Sequence, residues 1–197
     1  MSEQFNERKF MNSILIALGG VGISLLIGFI IIIVIEPTST FQMINTLFFT
    51  PDIANYVNPI VVFLTTISLY VTPGPGFLIW IINIDPATFL NLVSGVLIAS
   101  ILTWTIIGFM IGFILRRPQK AMYQGLLTVF FSLIFTIIME IVLVGNAGLL
   151  FTGPVGIALI GIVILLTIFF SLIMIVYCTV ISVVAAIIAN KLFPLNY

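Results

Sequence analysis

Glu140 is the only ionisable side chain that falls inside one of the long apolar stretches of this 197-residue chain. It ends a ladder of polar residues spaced by four: Gln124, Thr128, Ser132, Thr136 and Glu140. Residues at that spacing stack on one side of a helix, with a drift of about 40° per step. A carboxyl group there is costly against lipid and belongs against protein or a water-filled cavity. The ladder therefore supports two readings. One is a proton- or cation-binding carboxylate at the end of a hydroxyl relay. The other is hydrogen bonding between helices, and it is favoured because a proton relay needs more titrating groups than this ladder offers.

A second candidate is the break Pro73, Gly74, Pro75 and Gly76, in the middle of the otherwise apolar segment 59–84. Two prolines remove two backbone donors and the glycines loosen the chain between them, so no straight helix survives. Unwound backbone at membrane depth needs support from protein or a cavity. In transporters such breaks meet substrate, but the lack of nearby charge favours a structural role. Glu36, Asp52 and Asp85 are acids of the kind that bind hard cations, and nothing in their spacing brings them together.

Small residues four apart form the third pattern. Gly20, Ser24 and Gly28 share one face early in the chain. Gly95, Ala99 and Thr103 share another, followed by Gly108 and Gly112, and Cys178, Ser182 and Ala186 a third. Such faces let helix backbones approach closely, which supplies contact energy where lipid removes the hydrophobic drive. They serve packing within one bundle or an interface with another subunit.

Other chemistries are excluded. With no histidine, imidazole ligation and His-based acid–base catalysis are absent. The single Cys178 has no disulfide partner. There is no phosphate-binding glycine loop and no nucleophile–base pair, so neither catalytic residues nor a cofactor or metal is expected. Six basic and six acidic residues leave no field to hold nucleic acid.

The elements that must position these residues follow from composition. Hydrophobic residues make up 62% of the chain and charged residues 6%, against about 25% charged in a soluble domain. The expected fold class is an all-α integral membrane protein forming a single transmembrane domain over 1–197. Four spans are read at about 12–35, 89–115, 121–144 and 155–190, the first of them a retained span that acts as its own insertion signal. Segment 59–84 is a re-entrant or interfacial element; if it crosses instead, the count becomes five. Asp85 or Thr88 is a plausible helix start. The last run is too long for a ~30 Å hydrocarbon core, and its apolar end over 185–192 needs something to pack against.

Arg8, Lys9, Arg116, Arg117, Lys120 and Lys191 fall on one face in the four-span arrangement, which makes both termini cytoplasmic in a multi-pass protein of the cell membrane. The basic turn at 116–120 sets topology or touches anionic headgroups. The functional expectation is a non-catalytic helical subunit or scaffold of a larger membrane complex, partnered by the bilayer and by other subunits or copies of itself. The alternative is a small transporter or channel component, with a pathway near Glu140 and the Pro73–Gly76 break.

Overall fold

Proline opens three of the four long helices. A computed structural model describes residues 2–35, 86–146 and 154–194, together with positions 60, 63–64, 67–68 and 71. Helix α1 is Ser2–Ile35, α2 is Pro86–Leu115, α3 is Pro118–Asn146 and α4 is Pro154–Leu192. At a first helical position proline is at home, because its missing N–H would have had no partner and its φ is already helical. The polar leader that precedes the first apolar stretch is also helical from Ser2. Glu, Gln, Arg and Lys are good helix formers, and the apolar turns after them provide the nucleus.

Every long element among the described residues is helical. Met11–Ile35, Leu97–Leu115, Pro118–Met139 and Ile164–Leu192 are long and apolar enough to cross a bilayer. This is the arrangement of a multi-pass membrane protein. At 39 residues, α4 would be about 58 Å long at the helical rise.

The register between helices sets the topology. Along α2 and α4, Thr105 meets Tyr177, Gly108 meets Cys178 and Ile181, and Gly112 meets Ser182, Ala185 and Ala186. Partners advance together, so α2 and α4 run parallel. The same holds for α1 and α3, where Ser13 meets Gln124 and Gly20 meets Thr128. The start of the α1 span, the α2–α3 connection and the end of α4 thus share one end of the bundle. Ile35 and Pro86 lie at the other.

Arg116 and Arg117 alone join α2 to α3. A connection this short needs a left-handed residue. Arg116 adopts φ 52°, and its N–H bonds to the Gly112 carbonyl at 2.9 Å, the arrangement that closes a helix end. Its guanidinium lies 5.5 Å from the centre of the Phe193 ring, and Phe193 also meets Phe113 edge-on. One face of the end of α4 packs within the chain, where Ala185, Ala186 and Ala189 are fully buried and the first two lie against Gly112, while Ile187, Ile188 and Leu192 stay exposed.

The core gathers Trp104, Ile107, Val129, Met174, Cys178 and Val71. Its density rests on glycines at the helix crossings. A Cβ on Gly112 would overlap the Ser182 carbonyl oxygen and come within 2.6 Å of Ala185 Cβ. Backbone cannot retreat from such a clash without parting the helices. Gly22, by contrast, has nothing within 4 Å of a Cβ. Gly112→Ala is therefore expected to destabilise the protein by about 1–3 kcal/mol through overpacking, while Gly22→Ala is neutral or gains up to about 1 kcal/mol of helix propensity. Thermal unfolding of the two variants in one detergent checks the contrast; equal shifts would contradict this packing.

Candidate functional site

The most unusual polar arrangement centres on one carbonyl. In a helix, the Val71 carbonyl would accept from the N–H four residues ahead, but that residue is Pro75, which has none. An orphaned buried carbonyl must find donors elsewhere. Val71, Ile67 and Ser68 are buried, and α2 supplies the donors: Ser100 Oγ donates to the Val71 oxygen at 2.9 Å and Trp104 Nε1 donates to it at 2.8 Å. Ser100 and Trp104 are four apart and so reach the same point from one helix face.

Trp104 and Ser100 are completely buried. Trp104 lies about 16 Å along α2 from Leu115, half of a ~30 Å hydrocarbon thickness. Val71 is locked from the other side by α1, where a Cβ on Gly28 would come within 2.7 Å of Val71 Cγ2. Phe29 of α1 meets Phe63 edge-on, 5.3 Å between ring centres. The stretch before the break is thus clamped between α1 and α2 by one glycine, one aromatic pair and two hydrogen bonds.

The ladder on α3 is inward-facing. Gln124, Thr128, Ser132 and Thr136 are all buried. Gln124 Nε2 donates to the Ser13 carbonyl at 3.2 Å, joining α3 to α1. The threonines do something more local: Thr128 donates to the Gln124 carbonyl at 2.8 Å and Thr136 to the Ser132 carbonyl at 3.0 Å. Thr103 and Ser182 repeat this on α2 and α4, donating to Ala99 at 2.8 Å and Cys178 at 2.7 Å, and Ser24 donates to Val21 at 2.7 Å. A hydroxyl whose proton is given to the preceding turn of its own helix is not passing protons to a neighbour.

Two hydroxyls differ. Ser171 Oγ and Thr179 Oγ1, both on α4, are buried with no hydrogen-bond partner among the described residues. Thr105 and Tyr177 pair across α2 and α4 at 2.7 Å. Cys178 is a free, buried thiol in the core.

The small-residue faces resolve into specific contacts. Gly20 abuts the Thr128 side chain, Gly28 abuts Val71, and Gly108 and Gly112 abut the Cys178–Ala186 stretch. Ala99, Ser182 and Ala186 are buried. The packing of Gly95, the Glu140 side chain, the Pro73–Gly76 break and the acids Glu36, Asp52 and Asp85 lie outside the described residues. Among the described residues, no three His, Cys, Asp or Glu side chains come together as a metal site.

Composition and spacing overlooked Val71, Ser100 and Trp104. The signal was present: a proline four residues after a buried helical position always leaves one carbonyl to be satisfied from outside. No protein-family model matches this sequence, and no curated protein or solved structure matches it either.

Removing a donor from the Val71 carbonyl should cost more than removing the orphaned hydroxyl. Trp104→Phe is expected to lose about 1–3 kcal/mol and Ser100→Ala about 1 kcal/mol, whereas Ser171→Ala should lie within about 0.5 kcal/mol of the parent or above it. Unfolding of the three variants in the same detergent gives the order; Ser171→Ala as the most damaging would overturn it.

Proposed function

We propose that this chain is a non-catalytic helical subunit or scaffold within a larger membrane protein complex. The observation that carries the reading is the fate of its buried hydroxyls. Ser24, Thr103, Thr128, Thr136 and Ser182 each donate to a carbonyl of their own helix. These hydroxyls are satisfied within their own helices rather than linked into a chain across the bundle, and this lends the transport alternative, with its relay toward Glu140, less support.

The parallel course of α1 and α3 supports four crossings, with the stretch between Ile35 and Pro86 entering and leaving on one side. Arg116, Arg117, Lys120 and Lys191 then gather at one end, which the positive-inside tendency assigns to the cytoplasm of the cell membrane. Both termini share that side.

For the partner, the outward face of α1 is the best supported contact. Leu15, Leu18 and Leu26 are 61%, 50% and 63% exposed and surround Gly22, whose missing side chain leaves open space. A glycine in mid-helix gives up helix propensity, and a helix approaching closely from another subunit or another copy would give it a use.

The test is purification of the tagged chain in a mild detergent, followed by measurement of the particle mass. A defined oligomer or a stoichiometric membrane partner is expected. Gly22→Leu, which has room in the isolated chain, should release that partner by filling the approach while leaving the unfolding temperature of the chain itself unchanged. A monodisperse monomer from the parent chain would overturn the proposal.

A further inference from the structure

A groove flanking that face of α1 is shaped for a different occupant. It encloses about 270 Å³ between α1, α2 and α3, well beyond the roughly 150 Å³ of an apolar cavity that accommodates benzene. Its walls include Ile16, Gly19 and Ile23 of α1 and Met110 and Ile114 of α2, and its polar atoms come from Gln124 and Thr128. Thr128 gives its proton to the Gln124 carbonyl and Gln124 bonds to Ser13, so the wall presents hydrocarbon with its polar groups already engaged.

The polar end is marked by charge. Lys120 lies one turn before Gln124, a lining residue, on the same face of α3 and is exposed. Arg116 is turned away, over Phe193. A slot of hydrocarbon one turn from an exposed cation complements an amphiphile with an apolar chain and an anionic head.

The geometry points to a binding site for one anionic glycerophospholipid, an acyl chain in the α1–α2–α3 groove and its phosphate near Lys120. A basic residue at the mouth of a cleft between membrane helices suits an anionic headgroup. Gly19 makes room for the chain, since it lines the groove and a Cβ there meets nothing within 4 Å. This inference does not depend on the subunit reading, because the groove is walled by α1, α2 and α3 of this chain alone.

The test is native mass spectrometry of the full chain in detergent, titrated with palmitoyl-oleoyl phosphatidylglycerol or with the phosphatidylcholine of the same chains. One phosphatidylglycerol should bind at about fivefold lower concentration than phosphatidylcholine, the preference expected from a single cation near the headgroup. Lys120→Gln should abolish that preference while leaving binding of phosphatidylcholine intact. Gly19→Phe, whose Cβ meets nothing within 4 Å and whose ring takes up groove volume, should remove the bound lipid of either kind. Equal affinity for the two lipids in the parent chain overturns the anionic site, and undiminished phosphatidylglycerol binding by a folded Gly19→Phe overturns the groove as its place. If Gly19→Phe fails to fold, the lipid comparison on the parent chain and on Lys120→Gln still decides.

Discussion

With so few polar side chains, this molecule has one consistent arrangement: the polar atoms turn inward and the hydrocarbon faces out. Val34 is 74% exposed, Ile114 72% and Leu165 67%, while Ser24, Ser68, Ser100, Thr103 and Thr136 are completely buried. In water this distribution would be inverted. Its logic is that of a hydrocarbon solvent, in which burying a leucine gains nothing and leaving a carbonyl unpaired costs several kcal/mol.

Two devices answer that constraint. Glycine lets backbone meet backbone where α2 crosses α4, so that dispersion contacts replace the missing hydrophobic drive. Hydroxyls serve the same end, because a serine or threonine bonded to its own helix is small, satisfied and able to sit at a crossing. The Val71 carbonyl is the exception that shows the rule at work. Pro75 denies it a helical partner, and the chain answers with a fully buried tryptophan and a serine from another helix. The carbonyl four residues before Pro75 is therefore satisfied by α2.

Much of this was legible in the residues themselves. Helix class and the end of α2 at Leu115 follow from an apolar run closed by Arg116-Arg117-Pro118, because proline and charge act locally; α3 already starts at Pro118, three residues before the span expected from 121, and α2 at Pro86, three before 89. The burial of Gln124, Thr128, Ser132 and Thr136 follows from their spacing. What spacing could not supply was direction of bonding: a threonine ladder looks the same whether each hydroxyl reaches the next helix or its own preceding turn. Nor could it reveal which glycine faces a neighbour. Gly20 and Gly22 are two residues apart in one helix, yet one abuts Thr128 and the other meets open space. Residues two apart point to opposite sides of a helix, and which side meets α3 is a property of the whole bundle.

The claim beneath all of this is that the exposed apolar faces are bathed in hydrocarbon. The most direct measurement is nitroxide accessibility in reconstituted bilayers, with Cys178 replaced by alanine and single cysteines placed at Phe169, Leu172 and Val176, all outward-facing, and at inward-facing Val129. Labels at the first three should collide readily with oxygen and hardly at all with a water-soluble nickel chelate, while the Val129 label should be shielded from both. Strong collision with nickel at Phe169, Leu172 and Val176 would mean that water is their solvent, and would contradict the account.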